Sequence, residues 1–228
     1  MAREDIFQVR HQSIPTIGEA QADRAIMNKF GSQVVTDLLT QWLLSGYCFH
    51  MQLGTEDAPI DSTTAIDDAL AWGVADNGSG VLVPLRYEVN IATFTTATLA
   101  QAMLEADMAK LRYSSGGTAY TPRQMNGAAS GAAAASGPFY VGTDVTVLAK
   151  TAVPSSIELA RRTFQEDVIA DPGNGLLAGE RDVFNIRSMG GVIIPQPGSA
   201  VLHFGSATAD VTGYGVFQFA QFATALAW

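Results

Sequence analysis

Hydrophobic and polar residues alternate along residues 78–94, GSGVLVPLRYEVNIATF. One parity of this segment is apolar, whereas the other carries Pro84, Arg86, Glu88 and Asn90. A period of two is typical of a β-strand with one buried face and one more polar face. The pattern therefore predicts a long strand whose buried face is made by the residues of the apolar parity: Val81, Val83, Leu85, Tyr87, Val89 and Ile91.

A similar segment recurs at residues 190–204, GGVIIPQPGSAVLHF, where glycine and valine again precede aliphatic residues and a proline. Proline has no backbone N–H to donate to a neighbouring strand. Pro84 and Pro195 are therefore expected on an edge strand or at a bulge near the start of a strand. Proline at such a place also opposes uncontrolled pairing between the edges of different molecules.

Short apolar or alternating segments, separated by Gly, Pro, Asn and Asp, make up much of the remaining chain. They predict strands in the following segments: 47–54, 69–76, 138–150, 180–188, 191–195, 199–205 and 214–222. Residues 155–175 are ambiguous and end in a turn at Asp171-Pro172-Gly173. Short strands with such turns favour an antiparallel sandwich or barrel.

Three segments have the spacing of helices instead. Residues 19–30 place apolar side chains four apart and are followed by Gly31. Residues 32–45 carry an apolar stripe that Ser32 caps and Gly46 ends. Residues 97–112, ATLAQAMLEADMAKLR, combine helix-forming residues with leucine and methionine at helical spacing, which predicts a helix between two strands.

These elements suggest a simple domain organisation. Residues 1–31 are predicted to form an N-terminal arm with a short helix, and residues 32–228 a single β domain. Residues 126–137, NGAASGAAAASG, lack large side chains and are predicted to be a flexible loop within that domain, with a linker between two domains as the alternative.

Charge and composition narrow the function. The 228 residues carry a net charge of −9, only 15% of them are charged, and no basic arm precedes the first strands. Direct nucleic-acid binding is not expected, because neutralising phosphates requires clustered Lys and Arg. The opening residues MAREDIFQVR are charged where an export signal would be apolar, and no apolar run is long enough to span a membrane.

Motifs of catalysis are absent from the sequence. No G-x-S-x-G elbow or P-loop occurs, and the GNG segment at residues 173–175 opens no predicted helix. The single cysteine, Cys48, lies in an aromatic run and is expected to be buried. The histidines His11, His50 and His203 do not have metal-ligand spacing, and each is expected to be a lone hydrogen-bonded side chain, although His50 and His203 could meet across a sandwich.

The remaining polar and aromatic groups each have a structural interpretation beside a functional one. The acidic pairs Glu56-Asp57, Asp67-Asp68 and Glu166-Asp167 resemble the paired carboxylates of glycosidases or a weak calcium site, but solvated loops explain them as well. Asn77-Gly78-Ser79 fits a glycosylation acceptor, yet Asn-Gly is also a turn signal. Four aromatic residues near the C-terminus suit core packing or ligand stacking: Tyr214, Phe217, Phe219 and Phe222. No catalytic, cofactor-binding or metal-binding residue is predicted.

Two of these segments resemble a known family. GSGVLVPLRYEVNIATF and GGVIIPQPGSAVLHFGSATADVTGYGVFQFAQF are similar to the central and closing strands of the single jelly-roll major capsid proteins of icosahedral, internal-membrane bacterial and archaeal viruses. The similarity lies in the order of turn, proline-marked strand and long apolar strand, and it covers under a quarter of the chain.

The resemblance implies an all-β fold: an antiparallel β-sandwich of jelly-roll type with one or two short helices in its connections. It also implies no active site and no cofactor. Its expected partners are copies of the chain itself, with a second capsid protein and an underlying lipid membrane as further candidates. Its expected location is the virion, after synthesis in the host cytoplasm.

The sequence thus predicts a capsid shell subunit that assembles through subunit contacts, and not an enzyme. Two alternatives stay open. The first is a carbohydrate-binding, receptor-binding or decoration module of a virion that uses exposed aromatic residues. The second is a glycosidase or lyase on a β scaffold, with its carboxylates drawn from Asp67, Asp68, Glu166 and Asp167.

Overall fold

The computed structural model describes residues 38–63, 66, 69–78, 80–94, 99–126, 135, 137–149, 155–165, 182–206 and 211–222. These residues form two antiparallel β-sheets packed face to face, with two short helices in the connections. In chain order the elements are α1 (Leu38–Leu44), β1 (Cys48–Leu53), β2 (Ile60–Asp61), β3 (Leu70–Asp76), β4 (Val81–Phe94), β5 (Leu99–Asp107), β6 (Tyr113–Ser115), β7 (Thr118–Ala119), β8 (Arg123–Gln124), β9 (Phe139–Val147), β10 (Ser156–Gln165), β11 (Asp182–Asn185), α2 (Ile186–Met189), β12 (Ser199–Ser206) and β13 (Val211–Phe222).

The strand order identifies the fold. One sheet, the β13 sheet, has the order β11-β4-β13-β1-β8, with β2 paired to β13. The other, the β12 sheet, has the order β10-β5-β12-β3-β9-β6, with β7 paired to β9. Eight strands remain when β2 and the inserted strands β6 to β9 are left out. The first of these eight pairs with the last (β1 with β13), the second with the second-last (β3 with β12), and β4 with β11 and β5 with β10 continue the series. This is the connectivity of a double-sheet jelly roll, so the predicted fold class is confirmed.

The core between the sheets is aromatic. Trp72 of β3 is fully buried, and its ring lies against Phe204 of β12 with ring centroids 4.8 Å apart. Gly215 of β13 leaves the room for this ring, because a Cβ added there would lie 3.2 Å from Cζ3 of Trp72. Phe217 and Phe219 stack further along β13. Phe139 of β9 stacks on Phe219 across the two sheets, so aromatic rings contribute directly to the packing between them.

A bulge changes which residues of β4 face the space between the two sheets. Arg86 pairs with Gln218 and Pro84 with Phe219, so Leu85 has no opposite residue. Because an extra residue inverts the side-chain alternation, Leu82 faces the core on one side of the bulge and Tyr87 and Val89 do so on the other. Val83 and Leu85 instead face outward, where Trp42 of α1 packs over them. The strand itself is confirmed, and Val83, Tyr87 and Val89 are buried as predicted, but the prediction that the apolar parity forms a single buried face is wrong.

The proline predictions have mixed outcomes. Pro84 does lie beside a bulge, but β4 is flanked by β11 and β13 and is not an edge strand. Leu82 donates its N–H to the carbonyl of Ile194 on one side of β4. An N–H at position 84 would point to the same side, but there β11 pairs with β4 only from Arg86 onward. The missing donor is therefore tolerated. The strand predicted at 191–195 is reduced to the single bridge between Leu82 and Ile194, just before Pro195.

The helix predicted at residues 97–112 is wrong, because Leu99–Asp107 forms strand β5 between β10 and β12. Ala100, Ala102, Leu104 and Ala106 alternate into the core, where alanines fit close to the rings of the facing sheet. Hydrogen bonding to strands on both sides and burial of this face outweigh the intrinsic helix propensity of the segment.

The helix predicted at 32–45 is confirmed for its described residues, and the strand predicted at 180–188 is shorter than expected. Residues 38–44 form α1, as predicted, and Gly46 ends it with a positive φ of 79° while Tyr47 donates its N–H to the carbonyl of Trp42. The strand predicted at 180–188 is correct for Asp182–Asn185 and wrong from Ile186 onward, where α2 begins, while residues 180 and 181 lie outside the described residues.

Several predictions fall outside the described residues. They are the arm at residues 1–31 with its helix at 19–30, residues 32–37, most of the Ala/Gly segment at 126–137, and the turn at 171–173. The strands on either side of the Ala/Gly segment, β8 and β9, pair with β1 and β3 respectively.

Candidate functional site: a buried ionic cluster

Charged side chains are buried on the outer face of the β12 sheet, the face turned away from the β13 sheet. On β5, alanine and leucine face the core, so the intervening Glu105 and Asp107 face outward. Ser199 of β12 lies directly opposite Asp107 on one side and Asp76 of β3 on the other. His203 follows on the same face of β12. These polar residues are all almost completely buried.

Arg112 completes the group and is fully buried. Its backbone N–H donates to Oδ1 of Asp76 and to Oγ of Ser199, at 3.3 and 2.8 Å. Its Nη1 donates to Oε1 of Glu105 at 2.6 Å and lies 3.9 Å from Oδ2 of Asp107. We refer to Asp76, Glu105, Asp107, Arg112 and His203 as the ionic cluster.

The ionic cluster fastens both ends of the long insertion between β5 and β10, residues 108–155. At its start, Asp107 Oδ1 accepts the N–H groups of Ala109 and Lys110. At its end, Leu148 donates its N–H to the carbonyl of Arg112, and Nε of Arg112 donates to the carbonyl of Leu148. The hydroxyl of Ser155 donates to Asp107, and that of Ser156 donates to Glu105. One arginine therefore ties the start of the insertion to its end and to the sheet below.

The electrostatics of the cluster are uneven. Two carboxylates, those of Glu105 and Asp107, lie within 4 Å of the one guanidinium, and His203 Nε2 lies 3.6 Å from Oε2 of Glu105, beyond hydrogen-bond distance. His203 Nδ1 lies 3.0 Å from the carbonyl of Leu70 and must donate there, since a carbonyl only accepts. Burial tends to raise the pKa of Glu105, but the His203 and Arg112 side chains beside it outweigh burial and hold the pKa at about 2.

The pKa of Asp76 is shifted in the opposite direction to that of Glu105. Burial raises the pKa of its carboxyl, and the hydrogen bonds from Ser199, Arg112 and Tyr113 offset that effect only in part. The folded chain therefore holds a proton on Asp76 more tightly than the unfolded chain does, whereas it releases the proton of Glu105 more readily. Acid thus affects these two carboxylates differently.

The Glu105 carboxylate gives the fold a specific acid sensitivity. Its stabilisation is complete above its ordinary pKa of 4.5 and is lost as the pH falls from there towards about 2. This loss amounts to about 3 kcal/mol for a shift of this size. We expect Glu105→Gln to be less stable than the parent at neutral pH and to lack this acid-dependent loss, as measured by urea unfolding across the acid range.

Asp76 and the other carboxylates titrate in both proteins, so the difference between the two curves isolates Glu105. Two curves that run parallel from neutral pH down to about pH 3 would contradict the ionised, arginine-paired state of Glu105.

The structure separates the residues that the sequence marked as candidates. His50 lies on β1 and His203 on β12, in different sheets, and His203 takes its contacts from Leu70 and Glu105. Burial lowers the pKa of His50, and the charge of Arg123 lowers it further. Burial also raises the pKa of the Cys48 thiol to about 11, which leaves it protonated and unreactive, so its predicted burial is confirmed.

Other candidates are either exposed, buried in the core or outside the described residues. Glu56 and Asp57 lie in an exposed turn between β1 and β2. Phe217, Phe219 and Phe222 are core residues, as expected for packing. Tyr214 lies on β13 and is half-buried. The other candidates lie outside the described residues: His11, Asp67, Asp68, Glu166, Asp167 and the GNG segment at 173–175.

Asn77 of the potential glycosylation acceptor is fully buried. Its Nδ2 donates to the carbonyl of Ile194 at 3.2 Å and to that of Pro195, and its Oδ1 accepts the N–H of Gly198 at 3.1 Å. The side chain therefore joins the turn after β3 to the segment before β12. In the folded chain this amide nitrogen is not accessible for modification.

The ionic cluster is shielded from solvent, and most of its polar atoms bond to each other or to the insertion, whereas Asp107 Oδ2 and His203 Nε2 have no hydrogen-bond partner among the described residues. Among the described residues, no three or more His, Cys, Asp or Glu side chains are placed to hold a metal ion. No helix in the described part of the chain is both long and apolar enough to cross a membrane.

The sequence contained a signal for this cluster, but the helix prediction at 97–112 concealed it. Read with a period of two, residues 99–107 place Gln101, Met103, Glu105 and Asp107 on one face. Arg112, Ser199 and His203 join them only through long-range pairing, for which no local pattern exists.

No protein-family model, curated protein or solved structure matches this chain.

Proposed function

We propose that this chain is a capsid shell subunit of a virion, with a structural rather than a catalytic role. The observation that carries the proposal is the strand order, since the eight strands left without β2 and β6 to β9 are wound as a jelly roll, an architecture used by viral capsid proteins. Lectin domains and cupins share this architecture, so the strand order supports the proposal by analogy of fold. The similarity of the 78–94 and 190–222 segments to capsid strands points the same way.

The surface of the described residues offers apolar positions for subunit contacts. Leu111, Leu148 and Ile157 are each at least 40% exposed. Leu111 and Ile157 adjoin Arg112 and its partner Ser156, and Leu148 exchanges hydrogen bonds with Arg112. We call these three side chains the closure rim. Leu111 and Leu148 adjoin or bond to Arg112, whereas Ile157 lies opposite Ala106 and therefore on the other face of its sheet from the ionic cluster. Exposed apolar side chains of this kind are available for burial where subunits meet.

The free side of β10 favours contacts through side chains over added strands. Among the described strands, β10 pairs only with β5. It carries a bulge near Glu158, and Arg161 holds both oxygens of that carboxylate, at 3.0 and 2.8 Å. Charges and bulges on an edge strand oppose strand-to-strand aggregation. Copies of the chain would therefore associate by packing, which permits ordered assembly.

The partners follow from the same proposal. They are copies of this chain, with a second capsid protein and a lipid membrane beneath the shell as further candidates. The net charge of −9 supports a position away from direct genome contact, because the phosphate backbone would be repelled. The location is the virion, after synthesis in the host cytoplasm.

Placing a charge on the closure rim tests this proposal. We expect Ile157→Glu to weaken assembly at least about tenfold, because an unpaired carboxylate would be buried at the contact. The matched control is Thr163→Glu, which adds the same charge at another exposed position of β10 and should assemble like the parent. Sedimentation velocity measures the assembled fraction, and urea unfolding verifies that both variants fold. Equal assembly of Ile157→Glu and the parent would contradict a role of the closure rim.

A second candidate function rests on an aromatic pair. Tyr113 and Tyr140 are partly exposed on the outer face of the β12 sheet, and the Asp144 charge acts on Tyr113. Aromatic rings beside a carboxylate are a typical surface for sugars, which would fit a receptor-binding or decoration module. Glycan binding on an array, lost in Tyr140→Ala, would favour this candidate over the shell subunit.

A further inference from the structure

Tyr113 of β6 and Tyr140 of β9 form an unusually close ring pair. Their ring centroids are 3.7 Å apart and their planes are parallel. Among the ring contacts of the described residues, this is the only one made by two tyrosines. Both rings rest on a small apolar cluster on the outer face of the β12 sheet, formed by Ala71, Val74, Val145, Val147 and Val201.

The surroundings orient the two phenols towards each other and leave them within reach of solvent. Tyr113 donates its hydroxyl proton to the carbonyl of Gly116 at 3.0 Å, in an exposed turn. Partial burial raises the pKa of the Tyr113 phenol, and the adjacent Tyr140 hydroxyl and the Asp144 charge raise it further. Because the parallel rings have centroids only 3.7 Å apart, their carbon atoms face each other in van der Waals contact, and these include the Cε atoms next to each hydroxyl.

We propose that Tyr113 and Tyr140 are an oxidative modification site, at which the two side chains couple to form a dityrosine cross-link within one chain. The reactant is a peroxide acting through a peroxidase-type one-electron oxidant. The cross-link joins the first strand of the insertion to its last strand. It therefore closes the segment 113–140 covalently on the surface that the ionic cluster already fastens.

The reaction balances with hydrogen peroxide as the oxidant. Each phenol loses one electron and its hydroxyl proton to give a tyrosyl radical, whose unpaired electron is shared with the Cε carbons. Two radicals couple to form one Cε–Cε bond, and the hydrogen on each of these carbons moves to the phenol oxygen, which restores both aromatic rings. The pair has then lost two hydrogen atoms, and these reduce one hydrogen peroxide to two water molecules.

The other tyrosines are less suited to this reaction. Tyr87 is fully buried and donates its hydroxyl to the carbonyl of His203. Tyr47 stacks against Phe222, not against another phenol. Tyr120 and Tyr214 form no ring contact with a tyrosine among the described residues. The geometry thus selects one pair out of six tyrosines.

The experiment treats the full chain with a peroxidase and hydrogen peroxide at low protein concentration, followed by digestion with trypsin. Cleavage after Arg112, Arg123 and Lys150 separates Tyr113 and Tyr140 into the peptides 113–123 and 124–150. We expect these peptides to appear joined, two hydrogen atoms lighter than their sum, with dityrosine fluorescence in the monomer fraction. Tyr113→Phe and Tyr140→Phe keep the stacked rings but should lose the joined peptides.

Tyr120→Phe is the matched control, because Tyr120 lies in the same peptide as Tyr113, and it should cross-link like the parent. Urea unfolding before oxidation verifies that the three variants fold alike. Joined peptides at the parent level in Tyr113→Phe would overturn the proposal. So would the absence of an intrachain cross-link in the parent under conditions that couple free tyrosine. These outcomes do not depend on whether the chain assembles into a shell.

Discussion

Replacing Arg112 with methionine is expected to destabilise the fold by about 3–5 kcal/mol, because it removes the one guanidinium paired with the buried carboxylates of the ionic cluster. Methionine has a similar length and fills the space, so packing is largely retained. Glu105 and Asp107 would remain buried without their cation, and Leu148 would lose the donor to its carbonyl. Urea unfolding at neutral pH measures the loss.

Two further variants separate charge from packing. Arg161→Met removes an arginine that also pairs with a carboxylate, but at the surface, where its side chain is 39% exposed, so its cost should stay below about 1 kcal/mol. The double variant Arg112→Met/Glu105→Gln removes one of the stranded charges and should recover part of the stability. If Arg112→Met costs no more than Arg161→Met, the ionic cluster does not hold the insertion to the sheet.

Replacing Trp72 with alanine is expected to cost about 3–5 kcal/mol, through lost burial and the cavity left between the sheets. The ring touches Phe204 on its own sheet and reaches over Gly215 on the other, so no neighbouring side chain can fill the space alone. Its Nε1 is buried with no hydrogen-bond partner among the described residues. Trp72→Phe should therefore cost less than alanine, since it keeps a ring and removes that unsatisfied donor.

Trp42→Ala is the control for Trp72. Trp42 of α1 packs on Phe222 outside the sandwich and is only half-buried, so its replacement by alanine should lower the free energy of unfolding clearly less. Urea unfolding monitored by circular dichroism compares the variants without depending on tryptophan fluorescence. A Trp42→Ala variant that loses more stability than Trp72→Ala would contradict the placement of Trp72 at the centre of the sandwich.

The sequence predicted those strands correctly whose local hydrophobic pattern agrees with their pairing in the sheet. β12 and β13 are largely apolar and pair with neighbours on both sides. β4 was also predictable as a strand, but its buried face was not. The bulge at Leu85 inverts the alternation, and only the register against β13 shows that Leu85 has no opposite residue.

The error at residues 97–112 has a different physical origin. Alanine, leucine and glutamate favour a helix locally, and the packing of β5 between β10 and β12 decides against it. The same error hid the candidate site, because helical spacing places Glu105 and Asp107 on different faces, whereas a strand places them on one face. The ionic cluster brings together residues from β3, β5, β12 and the start of the insertion, and a single sequence carries no signal for such long-range contacts.

Assembly of the full chain tests the central claim most directly. The measurement is the native mass of the purified protein by light scattering over a range of salt and protein concentrations, with and without lipid vesicles. Negative-stain images of every heavy fraction accompany it. A shell subunit predicts pentameric or hexameric rings, sheets or closed shells in at least one of these conditions. A protein that stays monomeric in all of them, vesicles included, or that forms only a compact trimer, would contradict it.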